Sequence, residues 1–184
     1  MRYDRTLIVA ATRAEAAHVP GHLPLVVTGL GKTAAAVATT RALAGGDPTR
    51  TLVVNIGTAG ALRPGLEGIH VPGTAVNHDM NADAIRALGY DPQECLTVEG
   101  GDDTVLASGD VFVTDPAVRD LLAKQAHLVD MEGYAVAYAC RQMGSTVRLV
   151  KHVSDNADES ALDWPELVAA SAAALGDWLA EHLG

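Results

Sequence analysis

The chain has 184 residues, a length typical of one domain, so we expect a single domain over residues 1–184. Its 13 Lys and Arg residues against 23 Asp and Glu residues give a net charge of −10, which disfavours nucleic acids and anionic membranes as partners because their phosphates would be repelled. Two cysteines, Cys95 and Cys140, are too few for a disulfide framework or a four-cysteine zinc site. No apolar run is long enough to cross a bilayer and the N-terminus lacks an apolar signal segment, so the expected location is the cytoplasm.

Strands and helices are predicted to alternate along the sequence. Short apolar runs predict strands at residues 6–11, 24–28, 51–56, 73–76, 96–99, 104–107, 127–129 and 146–153. Helices are predicted at residues 32–44, 116 to about 125, 132–143 and 164–183, the last of them behind a capping box, Asp163-Trp164-Pro165-Glu166. This alternation predicts an α/β layer fold with a largely parallel sheet.

Two glycine-rich segments follow predicted strands. The first, Gly29-x-Gly31-x-x-Ala34, superficially matches the dinucleotide fingerprint, but the next strand ends in Asn55-Ile56-Gly57, where that fingerprint needs an acid for a ribose hydroxyl. A tight strand-to-helix turn is therefore favoured over a nicotinamide dinucleotide site. The second, Gly57-Thr58-Ala59-Gly60, is predicted to be a loop at the carboxyl end of a strand, where open α/β sheets bind ligands.

A metal site is also disfavoured. His78, Asp79 and Asp83 carry metal-binding atoms, but no second histidine stands at ligand spacing. These residues are interpreted as a polar loop surface, and we predict neither a metal nor another cofactor.

Three carboxylates follow predicted strands. Glu15 comes just after the first strand, Glu132 stands in Asp130-Met131-Glu132-Gly133 at a strand-to-helix junction, and Asp155 follows the last strand. If these strands are parallel, the three side chains lie at one edge of the sheet, and without basic neighbours they suggest acid–base work on a polar, neutral ligand. The alternatives are structural: Asp130 caps a helix, Glu132 favours its dipole, and Asp155 belongs to a polar turn.

A series of short motifs spans most of the chain. They are Ile8-Val9-Ala10-Ala11 with Glu15, Thr28-Gly29-Leu30-Gly31-Lys32-Thr33-Ala34-Ala35-Ala36, Val54-Asn55-Ile56-Gly57-Thr58-Ala59-Gly60, His78-Asp79, Ser108-Gly109-Asp110-Val111-Phe112-Val113, Val129-Asp130-Met131-Glu132-Gly133 and Val153-Ser154-Asp155-Asn156-Ala157-Asp158. In this order they resemble the nucleoside phosphorylase superfamily, specifically its 5′-methylthioadenosine/S-adenosylhomocysteine nucleosidase branch. The resemblance implies a three-layer α/β fold with a mostly parallel or mixed central sheet flanked by helices. It also implies hydrolysis of the N-glycosidic bond of an adenine nucleoside, and a homodimer.

The resemblance further implies roles for individual residues. Asp155 would be the general acid that protonates the purine N7, and Glu15 would hold and activate the attacking water. The substrate-binding residues would be Ser154, which orients Asp155; Glu132 and Met131, at the ribose; Phe112 and Val113, at the base; and Thr58 and Gly60, near the water and the sugar. An ordinary core phenylalanine is the alternative for Phe112.

Water is favoured over phosphate as the nucleophile. Phosphorylases of this superfamily carry an Arg just before the glycine-rich loop, where this chain has Asn55-Ile56-Gly57; Arg13 in the first loop leaves phosphorolysis open. Residues 16–23 and 84–103 are shorter than the corresponding segments of typical members, so the 5′ substituent is undetermined and futalosine-type nucleosides are an alternative. A catalytically silent nucleoside-binding module is the remaining hypothesis.

Overall fold

The computed structural model describes residues 3–184. Its strands are β1 (Arg5–Ala10), β2 (Leu25–Val27), β3 (Thr51–Ala61), β4 (Ile69–His70), β5 (Pro72–Asn77), β6 (Cys95–Thr97), β7 (Asp102–Ser108), β8 (Leu128–Asp130) and β9 (Thr146–Asp155). Its helices are α1 (Lys32–Ala44), α2 (Ala82–Ala87), α3 (Pro116–Leu122), α4 (Gly133–Met143) and α5 (Trp164–Leu183), with short 3₁₀ turns at Pro48–Arg50 and Glu159–Asp163.

All of these strands belong to one mixed sheet. The strands β2, β1, β3, β8, β7, β5 and β6 are neighbours in that order, while β9 pairs with β3 and with β4. The pairs β1–β2, β1–β3, β3–β9, β5–β7 and β7–β8 are parallel, whereas β3–β8, β4–β9 and β5–β6 are antiparallel. The parallel pairs bring the carboxyl ends of β1, β3 and β9 to the same edge.

Helices cover both faces of the sheet. Alternate side chains of a strand point to opposite faces, so Ile8 and Val54 pack with Leu175 of α5, while Leu7 and Val53 pack with α1 and α4. The helices and the sheet thus form three layers, which confirms the predicted fold class. No helix within residues 3–184 has the length and apolar character needed to cross a membrane.

The predicted loop at residues 57–60 is wrong, because β3 continues through it. Residues 57–59 pair in parallel with residues 151–153 of β9, and residues 60–61 pair antiparallel with β8. The pairing of β1 with β3 ends at Val9 and Asn55, so β3 extends beyond β1. Glycine weakens a strand, but these pairings to two neighbours hold the segment extended.

Two helix boundaries and one predicted cap also differ from the prediction, whereas α5 begins and ends at the predicted residues, Trp164–Leu183. Helix α4 begins at Gly133, and Glu132 is the residue before it; α3 ends at Leu122. The predicted capping box at α5 does not form, because Asp163 ends a 3₁₀ turn that runs directly into the helix, and its side chain makes no capping hydrogen bond. The short α2 lies in the segment left without a helix by the sequence prediction.

Candidate active site

A cavity of about 400 Å³ opens at the carboxyl ends of β3, β8 and β9. It brings together every residue that the sequence analysis selected as catalytic or substrate-binding: Glu15, Thr58, Gly60, Phe112, Val113, Met131, Glu132, Ser154 and Asp155. Further lining residues were not predicted: Ala11, Leu30, Ala59, Val111, Val129, Asp130, Ala161, Leu162, Trp164 and Pro165. Segments far apart in sequence therefore converge on one space.

Glu15 is held at one side of the cavity by four hydrogen bonds. One carboxylate oxygen accepts from the backbone N and the Oγ1 of Thr12, at 3.0 and 2.9 Å. The other accepts from the backbone N and the Oγ1 of Thr58, at 2.9 and 3.1 Å. The Thr58 hydroxyl in turn accepts from the indole Nε1 of Trp164 at 2.8 Å, so its own proton is directed to Glu15. Only 5% of the residue is exposed, and the four hydrogen bonds fix the orientation of its carboxylate.

Asp155 stands at the end of β9. Its Oδ2 accepts from the hydroxyl of Ser154 at 2.7 Å, and its Oδ1 accepts from the backbone N of Ala157 at 2.9 Å. Ala157 has a φ of 50°, a strained value for a residue with a side chain. A Cβ at Gly60 would lie 2.9 Å from the Cβ of Ala157 and 3.0 Å from Oδ1 of Asp155. The absence of a side chain at Gly60 therefore lets this turn and its carboxylate sit against β3.

Glu132 and Asp130 have different partners in the structure. Asp130 accepts from the backbone N of Gly133 at 2.9 Å and so caps α4, as the structural alternative for it proposed. The Glu132 side chain makes no capping bond to α4; its Oε1 accepts from the backbone N of Gly31 at 2.7 Å, across the cavity edge. Burial, and then the charge of Asp130, raise the pKa of Glu132 to about 7.

A buried ion pair lies beneath the carboxylates. Lys151 Nζ lies 2.8 Å from Oδ2 of Asp130, with side-chain exposures of 2% and 1%. Burial opposes the charge of Lys151, but the Asp130 carboxylate outweighs it, and the pKa of the lysine is raised. A Cβ at Gly57 would lie 3.3 Å from Nζ and 3.1 Å from Oε1 of Glu15, so the pair adjoins the Glu15 site. Sequence reasoning missed Lys151, although a lysine that follows Leu149 and Val150 within a predicted strand is a signal for a buried partner.

The remaining wall is apolar. Phe112 is 50% exposed, whereas the neighbouring Val113 is buried with Leu62 and Val129. Phe112 is therefore not an ordinary core phenylalanine, since half of its surface faces solvent at the cavity. Exposed side chains of Leu30, Val111 and Leu162 stand with Phe112 around the opening, and we call these four residues the mouth.

Among residues 3–184, neither a group of metal ligands nor a Lys or Arg side chain lines the cavity. Within residues 3–184, no group of three His, Cys, Asp or Glu side chains is arranged to hold a metal ion. Asp79, interpreted as part of a polar loop surface, instead forms an ion pair with Lys32. Arg13 is exposed and is not among the described residues that line the cavity, which include neither Lys nor Arg.

Comparisons with known proteins show which family the chain resembles. The family model described as the phosphorylase superfamily matches residues 20–99 and 101–180. The chain is 30% identical to aminodeoxyfutalosine nucleosidase of Helicobacter pylori over 47% of its own length and 46% of the relative's. It is 29% identical to 5′-methylthioadenosine/S-adenosylhomocysteine nucleosidase of a Marinomonas species, over 71% of its length and 67% of the relative's.

The fold comparison covers nearly the whole chain. The crystal structure of 5′-methylthioadenosine/S-adenosylhomocysteine nucleosidase from Helicobacter pylori matches with a TM-score of 0.84 and 22% identity, over 98% of both chains. The sequence matches are shorter, and the chain spans about half the length of the first curated relatives it matches, at 46% and 56%. With the family model matched over most of its length, the chain belongs to the phosphorylase superfamily.

Proposed function

We propose that the chain hydrolyses the N-glycosidic bond of an adenine nucleoside and releases the free base. The observation that carries this proposal is the convergence of Glu15, Glu132 and Asp155 around one cavity of about 400 Å³. The lining also contains apolar side chains, among them Phe112, which suits a flat heterocycle. Carboxylates together with an exposed aromatic ring fit a neutral sugar joined to a base.

The chemistry of the bond explains why acids are needed. When the C1′–N9 bond breaks, its electron pair goes to the purine and positive charge develops on the ribose. Asp155 donates a proton to N7 and so neutralises the charge on the leaving base, a contribution of about 10²–10⁴-fold. Glu15 accepts a proton from the water that attacks C1′, and its four hydrogen bonds hold it in one orientation for this step. Both carboxylates return to their starting states by exchange with solvent.

The other lining residues bind the substrate. Glu132 accepts hydrogen bonds from the ribose hydroxyls, and its negative charge stabilises the positive charge that develops on the ribose. Met131 packs on the sugar. Phe112 stacks on the base, and the backbone of Val113 hydrogen-bonds its edge. Ser154 orients Asp155, and Thr58 and Gly60 border the water and the sugar. The reaction needs no cofactor and no metal.

Water is the nucleophile in this proposal because a phosphate dianion would lack a cationic partner. The described residues that line the cavity contain carboxylates but no Lys or Arg, and Arg13 is exposed outside it. A dianion placed beside Glu15 and Glu132 would be repelled. Phosphorolysis is the second candidate and is separated from hydrolysis by one reagent, inorganic phosphate.

The 5′ substituent is proposed from the relatives. These relatives are 5′-methylthioadenosine/S-adenosylhomocysteine nucleosidases and an aminodeoxyfutalosine nucleosidase, so we propose substrates of these two kinds. The mouth is apolar, which suits a methylthio group better than a charged amino-acid tail. Among the candidates, 5′-methylthioadenosine is therefore expected to have the highest kcat/KM.

A substrate panel tests the proposal. The chain is incubated with 5′-methylthioadenosine, S-adenosylhomocysteine, aminodeoxyfutalosine, futalosine and deoxyadenosine, with and without phosphate, and the free base is quantified by chromatography. Base release independent of phosphate is expected; a strict need for phosphate identifies a phosphorylase. In Asp155→Asn, turnover is expected to fall far more than binding. Binding without release from any nucleoside, with or without phosphate, would instead identify a silent binding module.

The single-domain organisation, a homodimeric assembly and a cytoplasmic location complete the proposal. The mouth leaves four large apolar side chains exposed next to each other, as expected of a surface that a second copy covers. Light scattering coupled to size-exclusion chromatography measures the mass directly. A monomer at micromolar concentration contradicts the homodimer without affecting the proposed reaction.

A further inference from the structure

Lys32, the first residue of α1, joins three segments that are distant in sequence. Its Nζ donates to Oδ1 of Asn77 at 2.7 Å, forms an ion pair with Asp79, and lies 3.9 Å from Oδ2 of Asp110. Asp79 also accepts from the backbone N of Asp110 at 2.9 Å, through its other oxygen. We call Lys32, Asp79 and Asp110 the clamp.

The start of α1 connects the clamp to Glu132. Gly31, with a φ of 90° and no side chain, precedes the helix without capping it. Two carboxylates accept hydrogen bonds from the free backbone N–H groups at the start of α1. Glu132 accepts from the N of Gly31 at 2.7 Å, and Asp110 accepts from the N of Lys32 at 2.8 Å. One helix terminus therefore holds the carboxylate proposed to bind ribose and the loop that carries Phe112.

The loop at residues 110–113 depends on this attachment. Val111 and Phe112 are exposed, so burial does little to fix them. The hydrogen bonds that we find for residues 110–113, within the described part of the chain, are those of Asp110. Behind the loop, Gly109 lies against the ring of His78, where a Cβ would clash at 2.3 Å from Nε2. The loop is thus held at Gly109 and Asp110 directly before Val111 and Phe112, and by the buried side chain of Val113 directly after them.

We propose that Lys32, Asp79 and Asp110 are positioning residues that set where Phe112 stands relative to Glu132. They do not touch the reacting atoms; they act through the loop and through the start of α1. The side chains of Lys32 and Asp79 are only 17% and 27% exposed, so their charge-assisted contacts are partly shielded from solvent. This assigns a role to His78-Asp79, which the sequence analysis interpreted as loop surface. The catalytic consequence of the clamp rests on the proposed function, whereas its effect on Phe112 does not.

The position of Phe112 can be read directly because it is the one phenylalanine of the sequence. Incorporation of 4-fluorophenylalanine gives a protein with a single ¹⁹F resonance. In Lys32→Met and Asp110→Ala, which remove the ammonium and the accepting oxygen respectively, we expect this resonance to move toward the value of the free amino acid and to narrow, as the loop is released. The control is Asp4→Asn, which removes an exposed ion-pair carboxylate from Arg50 on the surface and should leave the resonance unchanged. Unchanged resonances in both clamp variants, with folding confirmed by circular dichroism, would overturn the proposal.

Kinetics supply the second readout. In both clamp variants, we expect KM to rise about tenfold while kcat changes less than about threefold, because a charge-assisted contact that orders a binding loop is lost. In the double variant, KM should rise by less than the product of the two single increases, since both substitutions remove the same connection between α1 and the loop. A KM equal to that of the unmodified chain in both variants contradicts the clamp. If the unmodified chain releases no base from any nucleoside, the proposed function fails, and the ¹⁹F comparison still decides whether the clamp exists.

Discussion

Glu132 offers a prediction that links stability to pH. Burial beside Asp130 raises its pKa from 4.5 to about 7 in the folded chain, and unfolding restores the ordinary value. Between these two values the folded chain holds a proton that the unfolded chain has already released. The free energy of unfolding therefore falls as the pH rises from about 4.5 to about 7, and the loss is complete above that window.

The substitution Glu132→Gln removes this loss. The amide carries no charge at any pH and keeps an oxygen for the backbone N of Gly31, so the packing is retained. A pKa raised from 4.5 to about 7 corresponds to about 3 kcal/mol by linkage. We therefore expect the variant to be close to the unmodified chain in stability near pH 4.5, and more stable by up to about 3 kcal/mol at pH 8.

Urea unfolding followed by circular dichroism at pH 5 and pH 8 measures the effect. The relevant quantity is how the difference between the two proteins grows with pH, because groups that are distant from Glu132 titrate equally in both. The exposed Glu166→Gln is the control, with an expected change below about 0.5 kcal/mol at either pH. A difference for Glu132→Gln that stays constant or shrinks from pH 5 to pH 8 would refute the reasoning. The gain in stability should accompany a fall of about 10–100-fold in kcat/KM for base release, since the ribose loses a charged acceptor.

Three further outcomes are expected. Trp164→Phe keeps a ring but removes the donor to Thr58, and kcat for base release should fall about 3–10-fold; an unchanged kcat contradicts the role of this hydrogen bond. Lys151→Met leaves Asp130 buried and unpaired, and urea unfolding should show a loss of about 3–5 kcal/mol, with a loss below about 1 kcal/mol as the contrary result. Burial raises the pKa of Cys140 to about 12, so a thiol reagent at pH 8 should label this cysteine only after the chain unfolds. Mass spectrometry of the peptide that contains Cys140 measures the labelling, and rapid labelling of the folded chain would disprove the prediction.

Much of the fold was predictable from local patterns. The helix bounds at residues 32–44 match α1 as observed, because an alanine-rich segment between glycines begins and ends clearly. The length of β3 was not predictable, since Gly57-Thr58-Ala59-Gly60 has the composition of a turn. Pairing with β8 and β9, which are far away in sequence, keeps it extended. Local composition does not carry that information.

The residues of the candidate site were predictable from the sequence, but their spatial arrangement was not. Motif order selected Glu15, Glu132 and Asp155, and the sheet brings them to one cavity. Asp130 and Lys151 were missed as neighbours of this set, because a pair buried between β8 and β9 depends on which strands are adjacent. Sheet order is a tertiary property, and alternation of strands and helices leaves several orders possible.

The small residues of β3 have a consequence for engineering the substrate range. At Gly60 even a methyl group would press on Asp155 and Ala157, and at Gly57 it would press on Glu15 and Lys151. A library that randomises this strand would therefore consist mostly of inactive clones, whatever nucleoside was used for selection. Diversity is better placed at Leu30, Val111 and Leu162, which are exposed in the single chain, with the mass of each variant measured because the proposed second copy covers the mouth.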